Sequence, residues 1–164
     1  MIDSHATAAR WGVHQTVLIA GAVAAAVEML VVLPIQSLLG VPPLILFQSI
    51  ASGWQGSAAY SGGLASALLG AALHLVISTV AAGIFVYASR IWPILVQRYF
   101  FSGLVYGALV YAVMTYVVVP LSAASLKPAT ETPLIATSFA VHLFFFALPI
   151  SMVNRYGGVR TRFS

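Results

Sequence analysis

LASALLGAALHLVISTVAAGIFVYA, residues 64–88, runs 25 residues without an Asp, Glu, Lys or Arg. A bilayer core about 30 Å thick is crossed by roughly 20 residues of helix at 1.5 Å per residue. This stretch therefore predicts a membrane-spanning helix. Three more runs read the same way. Residues 16–39 are interrupted only by Glu28, Pro34, Gln36 and Ser37, residues 100–119 stop at Pro120, and residues 133–153 open with Pro133. Proline suits the first turn of a helix, where its missing N–H is not needed. Pro34 and Pro149 fall inside spans, where kinks are tolerated if neighbours satisfy the freed carbonyls.

Composition agrees. Of 164 residues, 61% are hydrophobic and 6% charged, with a mean hydropathy of +1.02. Soluble domains are about a quarter charged, so these side chains do not cover a water-facing surface. Disorder is excluded as well, since it needs low hydrophobicity and high charge. Zero cysteines exclude disulfides, thiolate metal sites, iron–sulfur clusters and cysteine catalysis. The expectation is one integral membrane domain over residues 1–164: an all-α bundle of four transmembrane helices. Residues 44–52, behind Pro42 and Pro43, are apolar but too short to cross, and predict one short interfacial or re-entrant helix after the first span. Gly53 to Gly63 (GWQGSAAYSGG) reads as a flexible connector, and residues 121–132 as a polar turn region.

The net charge of +4 comes from seven cations placed at the ends of apolar runs. That is the pattern of topology signals and not the single basic face that nucleic acid requires. With four spans, Arg10, Arg90, Arg98, Arg155, Arg160 and Arg162 share one side against Lys127 alone. Both termini are expected in the cytoplasm, with Trp11 and Trp92 at the inner interface and Trp54 at the outer one. The first run is longer than a signal-peptide h-region, and no lipidation motif is present.

Small and polar residues recur at four-residue spacing. Residues Gly62, Ser66, Gly70, His74, Ser78 and Ala82 form one row, with Gly63, Ala67 and Ala71 beside it. Gly103, Gly107, Tyr111 and Thr115 form another, and Ala20, Ala24, Glu28, Val32 and Gln36 a third. Each row lies on one helix face and is expected to face the bundle interior, because helices in lipid associate through close small-residue contact and polar bonds.

Three ionisable side chains sit near span centres: Glu28, His74 and His142. A charge at the bilayer centre costs at least roughly 2.5–3.5 kcal/mol, so such a group normally faces a partner or water and marks a functional site. The three are expected to meet at one depth as a polar midplane cluster, with Glu28 paired to a protonated histidine or held neutral. Tyr106, Tyr111 and Thr115 are candidate supporting hydroxyls. Gln36, Gln48 and Ser49 lie toward the outer leaflet, as packing groups or the lining of a vestibule. The simpler reading is that these polar groups only fasten helices, at about 0.6 kcal/mol each.

Four chemistries fit this pattern. Glu and His relays carry protons or small cations. His74 and His142 on two helices are a possible axial pair for haem b, while covalent c-type haem is excluded by the absent CxxCH. Two histidines and a carboxylate also match a zinc or non-haem iron set, though without HExxH spacing. Finally, a small apolar bundle suits an accessory subunit of a larger membrane complex or a homo-oligomer. No GxSxG, HExxH, P-loop or dinucleotide fingerprint suggests an enzyme.

The segment ALHLVISTVAAGIFVYASRIWPILVQRYFFSGLVYGALVYAVMTYVVVPLSA, residues 72–123, resembles the YagU-like bacterial inner-membrane proteins. These four-span proteins carry a histidine in a span, a basic or proline-containing loop, a glycine-rich span ending in proline, and a second histidine in the last span. His74, Pro93, Gly103, Gly107, Pro120 and His142 stand at the corresponding places, and Glu28 is similar to an acidic residue of their first span. The loop after the first span departs from the pattern. The resemblance implies a four-span fold and an inner-membrane location, with no established activity.

Overall fold

The computed structural model describes residues 11–124 and 132–157, and every element among them is helical. In chain order these are α1 (Val13–Leu38), α2 (Pro43–Gln55), a 3₁₀ turn (Gly56–Ser61), α3 (Gly63–Ile91), a single turn α4 (Ile94–Gln97), α5 (Tyr99–Leu121) and α6 (Thr132–Gly157). Helices α1, α3, α5 and α6 are long and apolar enough to cross a membrane. Each span extends by one to a few residues beyond the range read from hydropathy at one or both ends. The additions include polar residues such as His14, Gln15, Ser89, Arg90 and Asn154, because helical hydrogen bonding continues into the interface after the apolar run ends.

Local chemistry sets the helix ends. At the start of α1, Gln15 Oε1 accepts the Gly12 N–H at 3.0 Å and Thr16 Oγ donates to the Gly12 carbonyl at 3.0 Å. Pro43 occupies the first turn of α2. The chain reverses after α1 at Gly40, whose φ of +83° is the left-handed conformation that glycine takes without steric penalty.

Helix α1 lies between α3 and α6, and α5 packs mainly on α6. The core where they meet is built from Ala20 and Ala24 of α1, Ala81, Ala82 and Phe85 of α3, and Phe146, Ala147 and Ile150 of α6. Glycines set the close approaches. A Cβ on Gly21 would lie 2.6 Å from Thr79 Cα, and one on Gly107 would lie 2.7 Å from the His142 carbonyl oxygen and Leu143 Cα. The expected inward rows are largely buried: Ser66, Ala67, Gly70, Ser78 and Ala82 in α3, and Gly103 and Gly107 in α5. Gly62 and Gly63 are exposed. Large apolar side chains such as Leu30, Leu68, Val105 and Leu109 point outward, as contact with lipid tails demands.

The short helix is longer than the 44–52 reading and docks against the N-terminal half of α3. The Phe47 carbonyl abuts Gly70, Gln55 Oε1 accepts from Ser66 Oγ at 2.5 Å, and Gln48 Nε2 donates to the Gly63 carbonyl at 3.0 Å. The stretch from Gly53 to Gly63 is ordered helical structure and not a flexible connector. Gly53 to Gln55 finish α2, Ala59 of the 3₁₀ turn is fully buried, and the Gly53 carbonyl accepts the Ala123 N–H at 3.0 Å. Gly56 and Gly63 take the left-handed φ of +62° and +57° that turns the chain there. Of the turn read at 121–132, residues 125–131 lie outside the described residues.

Two spans contain wide π turns, Met114–Val118 in α5 and His142–Ala147 in α6. Each ends two residues before a proline, Pro120 and Pro149. Proline lacks an N–H and crowds the carbonyl four residues earlier, so the preceding turn widens to accommodate it. At the arginine-bearing end the bundle is tied by Asn154 Nδ2 donating to Ser89 Oγ at 2.9 Å and by the Trp11 N–H donating to the Gly157 carbonyl at 3.1 Å.

Replacing Gly21 by alanine should force α1 off the Thr79 backbone, which has no room to yield, and destabilise the fold by roughly 1–3 kcal/mol. Gly83→Ala, whose Cβ would meet only Val17 Cγ1 at 3.6 Å, should be tolerated. Unfolding of both variants in mixed micelles checks the contrast.

Candidate functional site

Glu28 sits on the small-residue face of α1, two turns beyond Gly21, and is 7% exposed. Because Gly21 and Ala24 draw α1 close to α3, Glu28 comes beside His74. The Glu28 Oε2 lies 3.7 Å from His74 Nε2, and the same nitrogen lies 3.3 Å from the Ala25 carbonyl oxygen. A proton on Nε2 thus donates to a backbone carbonyl while remaining within ion-pair reach of a carboxylate. Ser78 Oγ donates to the His74 carbonyl at 2.8 Å and fixes the turn that carries the ring.

His142 opens the π turn of α6. Its Nδ1 donates to the Ser138 carbonyl at 2.8 Å, which turns Nε2 away from its own backbone. The ring meets Tyr111 edge-on at 5.5 Å between centroids and tilts against Phe146 at 6.1 Å. Tyr111 is held in turn by an edge contact with Phe139 at 5.3 Å.

The Ser89–Asn154 bond gives α3 and α6 a common level. His74 is fifteen residues from Ser89 and His142 twelve from Asn154, so at helical rise they stand within about 5 Å of the same height. The structure thus gives two contacting groups, Glu28 with His74 and Tyr111 with His142, at similar depth on neighbouring elements.

The remaining candidates divide. Tyr106 donates its hydroxyl to the Ala81 carbonyl at 2.7 Å and packs on Phe85 at 5.1 Å. Ala81 is seven residues past His74, about 10 Å along α3, so Tyr106 fastens α5 to α3 well below the histidine. Thr115 is half-buried in the π turn of α5. Gln36 is half-buried eight residues beyond Glu28, and Gln48 is a buried strut between α2 and α3. Ser49 Oγ bonds back to the Leu46 carbonyl at 2.7 Å.

Among the described residues no group of three His, Cys, Asp or Glu side chains is placed to hold a metal ion. For haem, ligation through His74 Nε2 would require breaking its approaches to Ala25 and Glu28. The pair has two protonation arrangements. An ionised pair and a neutral acid beside a neutral imidazole carry the same net charge and differ by one proton shift, so the buried pair keeps overall neutrality in either form. The backbone acceptors at Ala25 and Ser138 were invisible to a reading of side chains. The Ser89–Asn154 tie had one signal, two polar residues at span ends that share a side.

No family model, curated protein or solved structure matches the chain.

Tyr106→Phe should lower stability by only ~0.6 kcal/mol, the average for a hydrogen bond between membrane helices. Melting in detergent measures this. A severalfold larger loss would mean that the hydroxyl belongs to a wider polar network.

Proposed function

We propose that this multi-pass protein lies in a bacterial inner membrane with both termini in the cytoplasm, and that Glu28, His74 and His142 together handle a proton or small cation. The observation that carries the proposal is the buried Glu28–His74 pair at mid-span, 3.7 Å apart. Burying a carboxylate and an imidazole in a bilayer is expensive, and such pairs mark ion or proton pathways. A pair that only fastened helices would be replaceable by a less costly neutral contact. His142, at similar depth and with Nδ1 already engaged, has Nε2 to accept or release a proton. The inner-membrane placement follows the YagU-like resemblance proposed from the sequence of residues 72–123. The placement of six cations on one side against Lys127 supports the orientation.

Glu28→Gln keeps hydrogen-bonding capacity and removes the charge. It should fold like the parent yet abolish pH-driven proton or alkali-cation flux in reconstituted vesicles. Wild-type flux equal to that of empty vesicles across pH and cation type would refute the transport role. The cysteine-free sequence makes orientation directly measurable through Ser57→Cys, in the exposed 3₁₀ turn. The substituted thiol should react with an impermeant maleimide from outside the cell, and reaction only from the cytoplasmic side would reverse the topology.

A further inference from the structure

A backbone carbonyl oxygen only accepts hydrogen bonds, so one that faces an imidazole fixes which ring nitrogen carries the hydrogen. His74 turns Nε2 to the Ala25 carbonyl of α1 at 3.3 Å. His142 turns Nδ1 to the Ser138 carbonyl, one turn earlier in α6, at 2.8 Å. The two rings are thus engaged through opposite nitrogens. The hydrogen stays on Nε2 of His74 and on Nδ1 of His142 whether the ring is neutral or charged. What changes on protonation is the other nitrogen, Nδ1 of His74 and Nε2 of His142. Glu28 Oε2, 3.7 Å from His74 Nε2, therefore faces a nitrogen that keeps its hydrogen in both states. Among the described residues, α1 brings Glu28 to His74, and α2 carries no ionisable side chain over Pro43–Gln55. Helix α5 brings Tyr111 against His142, while its Tyr106 is bonded to the Ala81 carbonyl.

We propose that the cargo of Glu28, His74 and His142 is the proton and not an alkali cation, and that the proton is taken up and released at His74 Nδ1 and His142 Nε2. The inference rests on the ion-handling reading above and narrows it. An alkali cation is held by oxygens that surround it, such as carboxylates and carbonyls. Glu28 Oε2 and the Ala25 carbonyl are two such oxygens, yet both face the N–H of His74, whose positive end repels a bare cation. A proton meets no such obstacle, because the opposite nitrogen offers it a lone pair. Uptake at Nδ1 converts the neutral ring to an imidazolium, and the Glu28 carboxylate balances the charge. Release restores the neutral form with its hydrogen on Nε2. The carboxylate thus sets the charge of the ring across Nε2 and does not draw the hydrogen from there.

Nitrogen NMR spectra of the histidine-labelled full chain in lipid nanodiscs test the ring states, with resonances assigned through H74Q and H142N. At alkaline pH the bare nitrogen should be Nδ1 in His74 and Nε2 in His142, and on acidification these two should gain hydrogen. A neutral His74 with its hydrogen on Nδ1, or a neutral His142 with its hydrogen on Nε2, would overturn the proposal. Vesicle flux tests the cargo. Acid-driven proton flux should be unchanged when sodium and potassium are replaced by N-methylglucamine. H74Q keeps an N–H donor where Nε2 stands, and H142N keeps one where Nδ1 stands. Both should fold, yet each should lose the flux, because neither amide takes up a proton. Wild-type flux in either variant would overturn the proposal. Sodium or potassium flux that needs no pH gradient would also overturn it, while leaving the ion-handling reading in place. A wild type that passes no ion at all would refute that reading and the cargo with it, and the spectra would still decide which nitrogens exchange.

Discussion

Lipid tails are as apolar as leucine, so burying a leucine against another helix gains little that lipid does not already provide. Helices here must instead approach closely enough for dispersion and short polar bonds to hold them. The contact of Gly21 with the Thr79 backbone is where this constraint acts most directly. It sets the distance between α1 and α3, and the Glu28–His74 pair lies only two turns farther along the same seam. Ala20, Ala24, Ala81 and Ala82 continue the close contact, and Phe85, Phe146 and Ile150 fill the widening space toward α6. The placement of the mid-membrane pair therefore depends on the absence of one methyl group.

The polar groups of the bundle divide by depth. Near the arginine-bearing end, the Asn154–Ser89 bond and the Trp11–Gly157 contact join helices where interfacial water is near. At the opposite end, Gln48, Gln55 and Ser66 join α2 to α3, and the Gly53–Ala123 bond reaches α5. Between these layers the described interior is mostly small and apolar, with Glu28, Ser78, Ser151, the two histidines and the tyrosine hydroxyls as its polar groups. Ordinary fastening is thus supplied at the ends. The buried carboxylate stands between these two layers of fastening.

Spans were legible in the sequence because a run such as residues 64–88 has no other home than a bilayer. The meeting of Glu28 with His74 was legible for the same kind of reason, since expensive groups at one depth must find partners. The docking of α2 was not. Glycines of the segment from Gly53 to Gly63 suggest flexibility to a local reading, whereas Gly56 and Gly63 turn the chain at positive φ and Gly70 of α3 admits the Phe47 backbone, which only the partner helix reveals. For Tyr106 the sequence left the partner open. A hydroxyl near a histidine in sequence depth invites a functional reading, yet the nearest buried acceptor was the Ala81 carbonyl. The π turns had a signal in Pro120 and Pro149, but whether a proline kinks or widens a helix depends on the neighbour against which it packs.

The π turn at His142–Ala147 also fixes how the chain counts its residues. It accommodates in effect one residue more than an α turn, so the two halves of α6 are offset around the helix axis by about 100° relative to an uninterrupted helix. The contacts of Ile150 and Ala147 with α1 and α3 are in phase with the half that follows, while Val141 and Phe139 are in phase with the half that precedes. Losing one residue from the turn would leave hydropathy, length and topology nearly untouched. It would nevertheless swing the first half of α6 about its axis, carrying His142 and Phe139 away from Tyr111. In this protein the reading frame of side-chain faces, and not the amount of apolar sequence, is what a small insertion or deletion would alter.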